Sequence, residues 1–140
     1  PKYITIKLDE SKSKVYGLER VNFLQPIKIV EGPLDSLFLD NCLAAAGADL
    51  KNIKKSLSEE QITYIYDNEP RNREIIKQMY SVINKGYSIV IWPDDLKEKD
   101  INDMILSDLT SEQISDIIIN NTFNGLAATA KLDFYKRVLI

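Results

Sequence analysis

Five acidic side chains follow predicted strands, each near the point where a strand ends. They are Glu31, Asp67, Glu69, Asp100 and Asp103. The carboxyl ends of parallel strands meet at one edge of an open α/β sheet, where ligands bind, so we expect these side chains to lie together. Asp67 and Glu69 are two residues apart, a spacing that projects both side chains from the same face of an extended backbone.

A cluster of this kind carries a specific electrostatic cost. Neighbouring carboxylates repel one another and raise their own pKa values unless a cation lies between them. Carboxylate oxygens are the ligands that Mg²⁺ prefers. However, a chain with 21 Asp and Glu also places some acids after strands as solvated loop and helix-cap residues. Residue types and spacing alone leave both interpretations open, a metal site and a set of solvated acids.

Composition removes several other classes of chemistry. The chain has 140 residues and no histidine, which excludes catalytic triads, imidazole acid–base work and most zinc or iron sites. Cys42 is the single cysteine and lies among apolar residues, so we predict a buried thiol on the core face of a helix rather than a nucleophile. A net charge of −3 argues against this chain gripping a nucleic-acid backbone by itself, unless a basic surface lies elsewhere.

Short apolar runs alternate with helical patterns, which is typical of βα units and a largely parallel sheet. The sequence therefore predicts an α/β fold with about four strands in a mostly parallel central sheet, flanked by helices, and a helical C-terminal extension. The predicted strands span residues 27–30, 52–56, 62–66 and 88–92, with a further alternating segment at 2–8.

The helical patterns are placed between and after these strands. The first predicted helix follows Gly32, carries Leu34, Cys42 and Ala45 on one face, and ends at Gly47. The remaining helices are predicted to begin near Arg71, Ile101 and Thr110, the last with a break near Gly125. Tyr64, Tyr66 and Trp92 lie in predicted buried strands, so we predict that they pack in the core rather than stack on nucleic-acid bases.

The chain reads as one domain taken from a longer protein. It starts at Pro1 without a methionine and ends on an apolar run at 138–140. We predict an N-terminal segment over 1–26, a core over 27–108 and the C-terminal extension over 109–140. No long apolar stretch or basic leader is present, so neither a membrane span nor secretion is expected, and the predicted location is the cytoplasm.

Three ordered motifs resemble a known family. Residues 29–35, with the sequence IVEGPLD, resemble an E-G-x-x-D signature, residues 66–69 resemble a D-x-D element, and residues 99–103 are similar to a K-D-x-N-D segment. These are the motifs of the TOPRIM domain of bacterial and phage DNA primases. The match runs from Lys2 to Leu106, and its order is more specific than any one motif. Residues 67–72 resemble the primases of T-even-like phages.

That resemblance implies a TOPRIM (Rossmann-like) fold and an enzymatic role. Glu31, Asp67, Glu69 and Asp100 are implied to be catalytic and to organise Mg²⁺ or Mn²⁺, with Asp103 as a further ligand. The implied activity is metal-dependent synthesis of RNA primers from nucleoside triphosphates on single-stranded DNA, alongside a replicative helicase, in the host cytoplasm for a phage protein. A fragment of such a primase is expected to be inactive alone.

Some interpretations stay open beside this one. Glu69 stands where the family usually has a second aspartate, and residues 70–72 stand where the family usually has a pair of small residues, alanine and glycine. Asp35 is interpreted equally as a site acid and as a first-turn helix residue. Arg71 and Arg73 are interpreted as solvated side chains, with phosphate contact as the alternative, and so are the lysines at 12, 14, 51, 54 and 55. Another TOPRIM enzyme, such as a topoisomerase or an OLD-type nuclease, and a TOPRIM-like module without metal are the competing functions.

Overall fold

In the part of the chain that the structure describes, six strands form one central sheet. The structure, a computed structural model, describes residues 15–45 and 57–137. The predicted strands at 2–8 and 52–56, the predicted helix end at Gly47 and the lysines at 12, 14, 51, 54 and 55 lie outside the described residues. The strands are β1 (Val15–Tyr16), β2 (Ile27–Val30), β3 (Cys42–Ala45), β4 (Ile62–Tyr64), β5 (Ser88–Val90) and β6 (Thr122–Phe123).

The order of the strands across the sheet is β1-β3-β2-β4-β5-β6. The four central strands β3, β2, β4 and β5 are parallel to their neighbours, whereas β1 and β6 pair antiparallel at the two edges. The helices are α1 (Pro33–Ser36), α2 (Arg73–Asn84), α3 (Ile101–Leu106), α4 (Ser111–Asn120) and α5 (Gly125–Tyr135), with 3-10 turns at Leu18–Arg20 and Glu59–Gln61. The α/β class is confirmed, and the arrangement is consistent with a Rossmann-like TOPRIM fold.

Most residues of the central strands are apolar, as expected for a sheet covered by helices, and β2, β4 and β5 each contain a single polar residue, Lys28, Thr63 and Ser88. Ile27, Ile62 and Ile89, one from each of three adjacent strands, are completely or almost completely buried. Helix α2 adds an apolar face of its own, including Met79. Its N-cap is Asn72, whose Oδ1 accepts hydrogen bonds from two backbone N–H groups of the first turn.

The predicted helix from Leu34 to Ala45 is wrong in its second half. Helix α1 ends at Ser36, and the chain turns through Asn41, whose φ is 51°, into strand β3. All four residues of β3 are buried. The apolar periodicity of a short run cannot distinguish a buried strand from a buried helix, which is the reason for the error. The Cys42 thiol is buried as predicted, and burial raises its pKa to about 12.

The C-terminal part is helical as predicted, but it also contains a strand that was not predicted. Helix α4 begins with a capping box in which Thr110 and Gln113 bond each other's backbone N–H groups. Strand β6 lies between α4 and α5 and pairs with β5. Among the described residues, the six strands are therefore three that were predicted, β2, β4 and β5, and three that were not, β1, β3 and β6. Within residues 15–45 and 57–137, no helix is both long enough and apolar enough to span a bilayer.

Candidate acidic site at the strand ends

Three loops leave the same edge of the sheet and carry the acidic residues. Glu31 directly follows β2, and Asp67 follows β4 after an extended stretch in which the Ile65 N–H donates to the Ile29 carbonyl at 2.8 Å. The loop after β5 leads to Asp100, the N-cap of α3. The parallel pairing of β2, β4 and β5 thus brings these segments to one edge, as the strand-end argument requires.

Asp67 lies at the electrostatic centre of this group. Burial, followed by the charges of four other acids, raises its pKa to about 7; in decreasing order of influence these are Asp35, Glu31, Asp100 and Glu69. Charge–charge interactions fall with distance, so these four carboxylates lie near Asp67. Four of the five predicted site acids are therefore brought together. We call the five predicted site acids, Glu31, Asp67, Glu69, Asp100 and Asp103, together with Asp35, the acidic edge.

Glu31 is coupled to the same group although its side chain is largely exposed to solvent. Partial desolvation, and secondarily the charge of Glu69, raises the pKa of Glu31. Glu69 itself is partly balanced by Lys99, whose Nζ lies 3.7 Å from Glu69 Oε1. Asn72 Nδ2 donates to Glu69 Oε2 at 3.5 Å, which ties this carboxylate to the start of α2.

Asp100 and Asp103 occupy the first turn of α3. Asp100 Oδ1 accepts a hydrogen bond from the Asp103 N–H at 2.7 Å, so one carboxylate oxygen serves as the helix cap. Asp103 is half-buried one turn along. Across residues 15–45 and 57–137, no three acidic or cysteine side chains are placed to hold a single metal ion. The acids are close enough to repel one another, but the arrangement is not a closed coordination site.

Asp35 is the acid whose importance the sequence left undecided. Its side chain is only 7% exposed, and its Oδ1 accepts a hydrogen bond from the Asn102 N–H at 2.9 Å. This bond joins α1 to the first turn of α3 and so helps to position Asp100. Among neighbouring charges, Asp35 has the largest effect on Asp67. Its place in the 29–35 motif was the available signal.

Asn68 is a buried polar residue that the sequence analysis missed. Its Nδ2 donates to the Leu96 carbonyl at 2.9 Å and to the Glu98 carbonyl at 3.1 Å, and its N–H donates to the Lys99 carbonyl at 2.6 Å. Asn68 Oδ1 accepts from the Tyr135 hydroxyl at 2.9 Å. These bonds hold the loop before Asp100 against the Asp67 turn. An asparagine after an aspartate indicates only a turn in the sequence, so no local signal identified it.

The aromatic residues near this edge pack inside the molecule. Tyr64, Tyr66 and Trp92 are all less than a tenth exposed, which confirms the prediction of core packing. Trp92 Nε1 donates to the Tyr66 carbonyl at 2.8 Å, just before Asp67. This bond fixes the end of the β4 segment against the chain that leaves β5.

Comparison with known proteins adds an independent observation. No protein-family model matches the chain. Over 139 residues, 98% of its length, the chain is 36% identical to a protein described as DNA primase from Enterobacteria phage T4. The aligned region spans 40% of that relative.

Proposed function

Since the chain is phage primase-related over nearly its whole length, we propose that it is the TOPRIM catalytic part of a DNA primase. In this proposal it contributes to metal-dependent synthesis of RNA primers on single-stranded DNA. The observation that supports it is the raised pKa of Asp67, caused by burial and by four nearby carboxylates that come from three separate loops. Crowded, partly buried acids that perturb one another are typical of functional sites.

The donor chemistry at the acidic edge fits Mg²⁺ or Mn²⁺. All five donors, Glu31, Asp67, Glu69, Asp100 and Asp103, are carboxylates, which are hard oxygen ligands. Mg²⁺ commonly takes one or two protein carboxylates and completes its shell with waters and substrate phosphates, so a closed three-acid site is not required. A bound ion would supply charge neutralisation for a triphosphate and lower the pKa of an attacking hydroxyl.

The chain's own residues have distinct roles in this proposal. Burial and neighbouring carboxylates raise the pKa values of Asp67 and Glu31, so the ionised forms of these two side chains would be stabilised by a bound cation. Asp35, Asn68 and Asn102 act on the position of Asp100 rather than on a substrate. Lys99, whose Nζ lies 3.7 Å from Glu69 Oε1, would supply a positive charge for a substrate phosphate at this edge.

The partners in this proposal follow from the primase activity. They are a single-stranded DNA template, nucleoside triphosphates and a replicative helicase, in the cytoplasm of the host cell. The chain spans 40% of the primase that it matches, so primer synthesis is proposed for the whole protein and not for this part alone.

The test is de novo primer synthesis by the full-length protein carrying Glu31→Gln. We expect a loss on the order of 100-fold, because the substitution removes a charged ligand while keeping the shape of the side chain. Glu60→Gln is the matched control, since Glu60 is exposed in the turn before β4, away from the acidic edge. Undiminished synthesis by Glu31→Gln would contradict the proposal.

A further inference from the structure

A second charged surface lies between α2 and the end of α5, beside the acidic edge but of opposite sign. Five basic side chains line it: Arg71, Arg73, Lys77, Lys136 and Arg137. No acidic residue is among its lining residues, and its volume is about 590 Å³. We call this surface the basic groove.

The wall of the basic groove is held by contacts between the two helices. The Tyr80 hydroxyl on α2 donates a hydrogen bond to Asp133 on α5. Lys136 Nζ lies 5.2 Å from the centre of the Tyr80 ring and 3.9 Å from Asp133 Oδ1. Asp133 therefore interacts with Tyr80 and Lys136 inside the wall, and its charge is partly balanced there.

The concentration of charge in the groove is unusual for this chain. The protein has a net charge of −3, yet five of its 18 Lys and Arg residues line one groove, and all five are exposed. Arg73 and Lys77 are four residues apart and so lie on one face of α2, with their Cβ atoms ~6 Å apart. These cations, together with Lys136 and Arg137 directly after α5, are complementary to a chain of negative charges rather than to a single anion.

The floor of the groove is apolar. Besides the five cations, Pro70, Ile76 and Tyr80 line the groove. A volume of this size falls within the range of small-molecule cavities, and it is large enough for a nucleotide base and its sugar. A basic rim over an apolar and aromatic floor is the combination used by proteins that bind single-stranded nucleic acid.

We propose that the basic groove binds the sugar–phosphate backbone of single-stranded nucleic acid. The choice of nucleic acid over another polyanion rests on the proposed primase function. The groove begins at Pro70, directly after Glu69, and Asn72 links Glu69 to the first turn of α2 through its side chain. A strand that lies in the groove is thereby led toward the acidic edge.

This assignment revises two expectations from the sequence. Arg71 and Arg73 are exposed, as predicted, but they share a groove with Lys136 and Arg137 from a distant segment. The net negative charge argued against backbone binding by this chain, unless a basic surface lay elsewhere. The structure gathers such a surface within the chain, because helix packing brings the two basic segments together.

The experiment compares Lys77→Glu with Lys85→Glu in the full-length protein. Both substitutions change the net charge by the same amount, and both lysines are exposed on or next to α2. Only Lys77 lines the groove. Binding of a fluorescent oligo(dT) strand is followed by anisotropy in EDTA at several salt concentrations. We expect an affinity about tenfold weaker for Lys77→Glu and within about twofold of the unmodified protein for Lys85→Glu. For Lys77→Gln, the plot of log affinity against log salt concentration should become shallower, with the magnitude of its negative slope smaller by ~0.7.

Two results would overturn the assignment. One is an equal loss of affinity in both variants, which would indicate a general charge effect. The other is a loss of ATP binding by Lys77→Glu with unchanged oligonucleotide binding, which would make the groove a mononucleotide site. Failure of the proposed function can be distinguished from failure of this assignment. Glu31→Gln tests the proposed function through primer synthesis, and it should bind oligo(dT) normally in EDTA whatever its effect on that synthesis.

Discussion

The acidic edge and the basic groove share the short segment 67–77. They carry opposite charges, and they differ in how far those charges are exposed to water. Residues 67–69 supply acids that are partly buried, and their mutual repulsion raises the pKa of Asp67. Residues 71–77 supply cations that are exposed, where water and salt weaken repulsion between like charges. Burial therefore makes negative charge costly at the acidic edge, whereas the groove side chains can remain charged at little cost because water surrounds them.

The two regions share one buried connection. Asn68 bonds the loop that leads to Asp100 and also accepts from the Tyr135 hydroxyl, one residue before Lys136 of the groove. Both partners are buried. A change at Asn68 should therefore affect both regions, while changes at Asp67 or Lys77 should affect only one. The following predictions test that separation.

The largest effect on stability is expected for Asn68→Leu. The substitution leaves the Leu96 and Glu98 carbonyls and the Tyr135 hydroxyl without their partner, and it should lower the free energy of unfolding by about 3 kcal/mol. Urea unfolding followed by circular dichroism measures this change. Asn120→Leu is the control, since Asn120 is exposed at the end of α4 and should cost less than about 0.5 kcal/mol. An equal loss in the free energy of unfolding for Asn68→Leu and Asn120→Leu would contradict a stabilising connection through Asn68.

A smaller effect, which depends on pH, is expected for Asp67→Asn. The pKa of Asp67 is about 7 in the folded state and ~4 when unfolded, so the folded state binds more protons between these values. The free energy of unfolding of the unmodified protein should therefore fall as the pH rises from ~4 to ~7 in EDTA. After allowance for solvent screening, Asp67→Asn should be more stable by about 2 kcal/mol at pH 8, with the difference vanishing near pH 4.

Urea unfolding of both proteins at pH 4, 6 and 8 checks this prediction. The Lys77→Glu variant should follow the pH dependence of the unmodified protein, because the groove lysine is not among the charges that act on Asp67. A difference between Asp67→Asn and the unmodified protein that stays constant with pH would contradict the assigned pKa.

The smallest effect is stabilisation by Mg²⁺. At a concentration ten times the dissociation constant, binding to the folded state should add about 1.4 kcal/mol to the free energy of unfolding. The gain should disappear in Asp67→Asn combined with Asp100→Asn, a pair of changes that keeps a side chain able to cap α3 at position 100. Lys77→Glu should keep the gain. No stabilisation of the unmodified protein at tens of millimolar Mg²⁺ would favour the alternative of an interaction module without metal.

The sequence predicted three of the four central strands and missed β3 together with the two edge strands, β1 and β6. Apolar runs predict strands at 27–30, 62–66 and 88–92, of which the last two end two residues earlier in the structure, and helical spacing predicts α2 from near Arg71, which begins at Arg73. Strand β3 was assigned to a helix, because four buried apolar residues carry no period. Strand β6 is two residues long and exists through its pairing with β5, an interaction that local sequence does not encode.

By itself, the sequence determined which chemistry is open to this protein. The absence of histidine and the acids after successive strands pointed to a candidate site made of carboxylates at one sheet edge, because strand direction follows from the alternation of strands and helices. Only the tertiary structure decided that Asp35 and Asn68 support this edge and that Arg73 and Lys136 share a groove. The reason is that these contacts join segments far apart in the chain, through packing that no local pattern records.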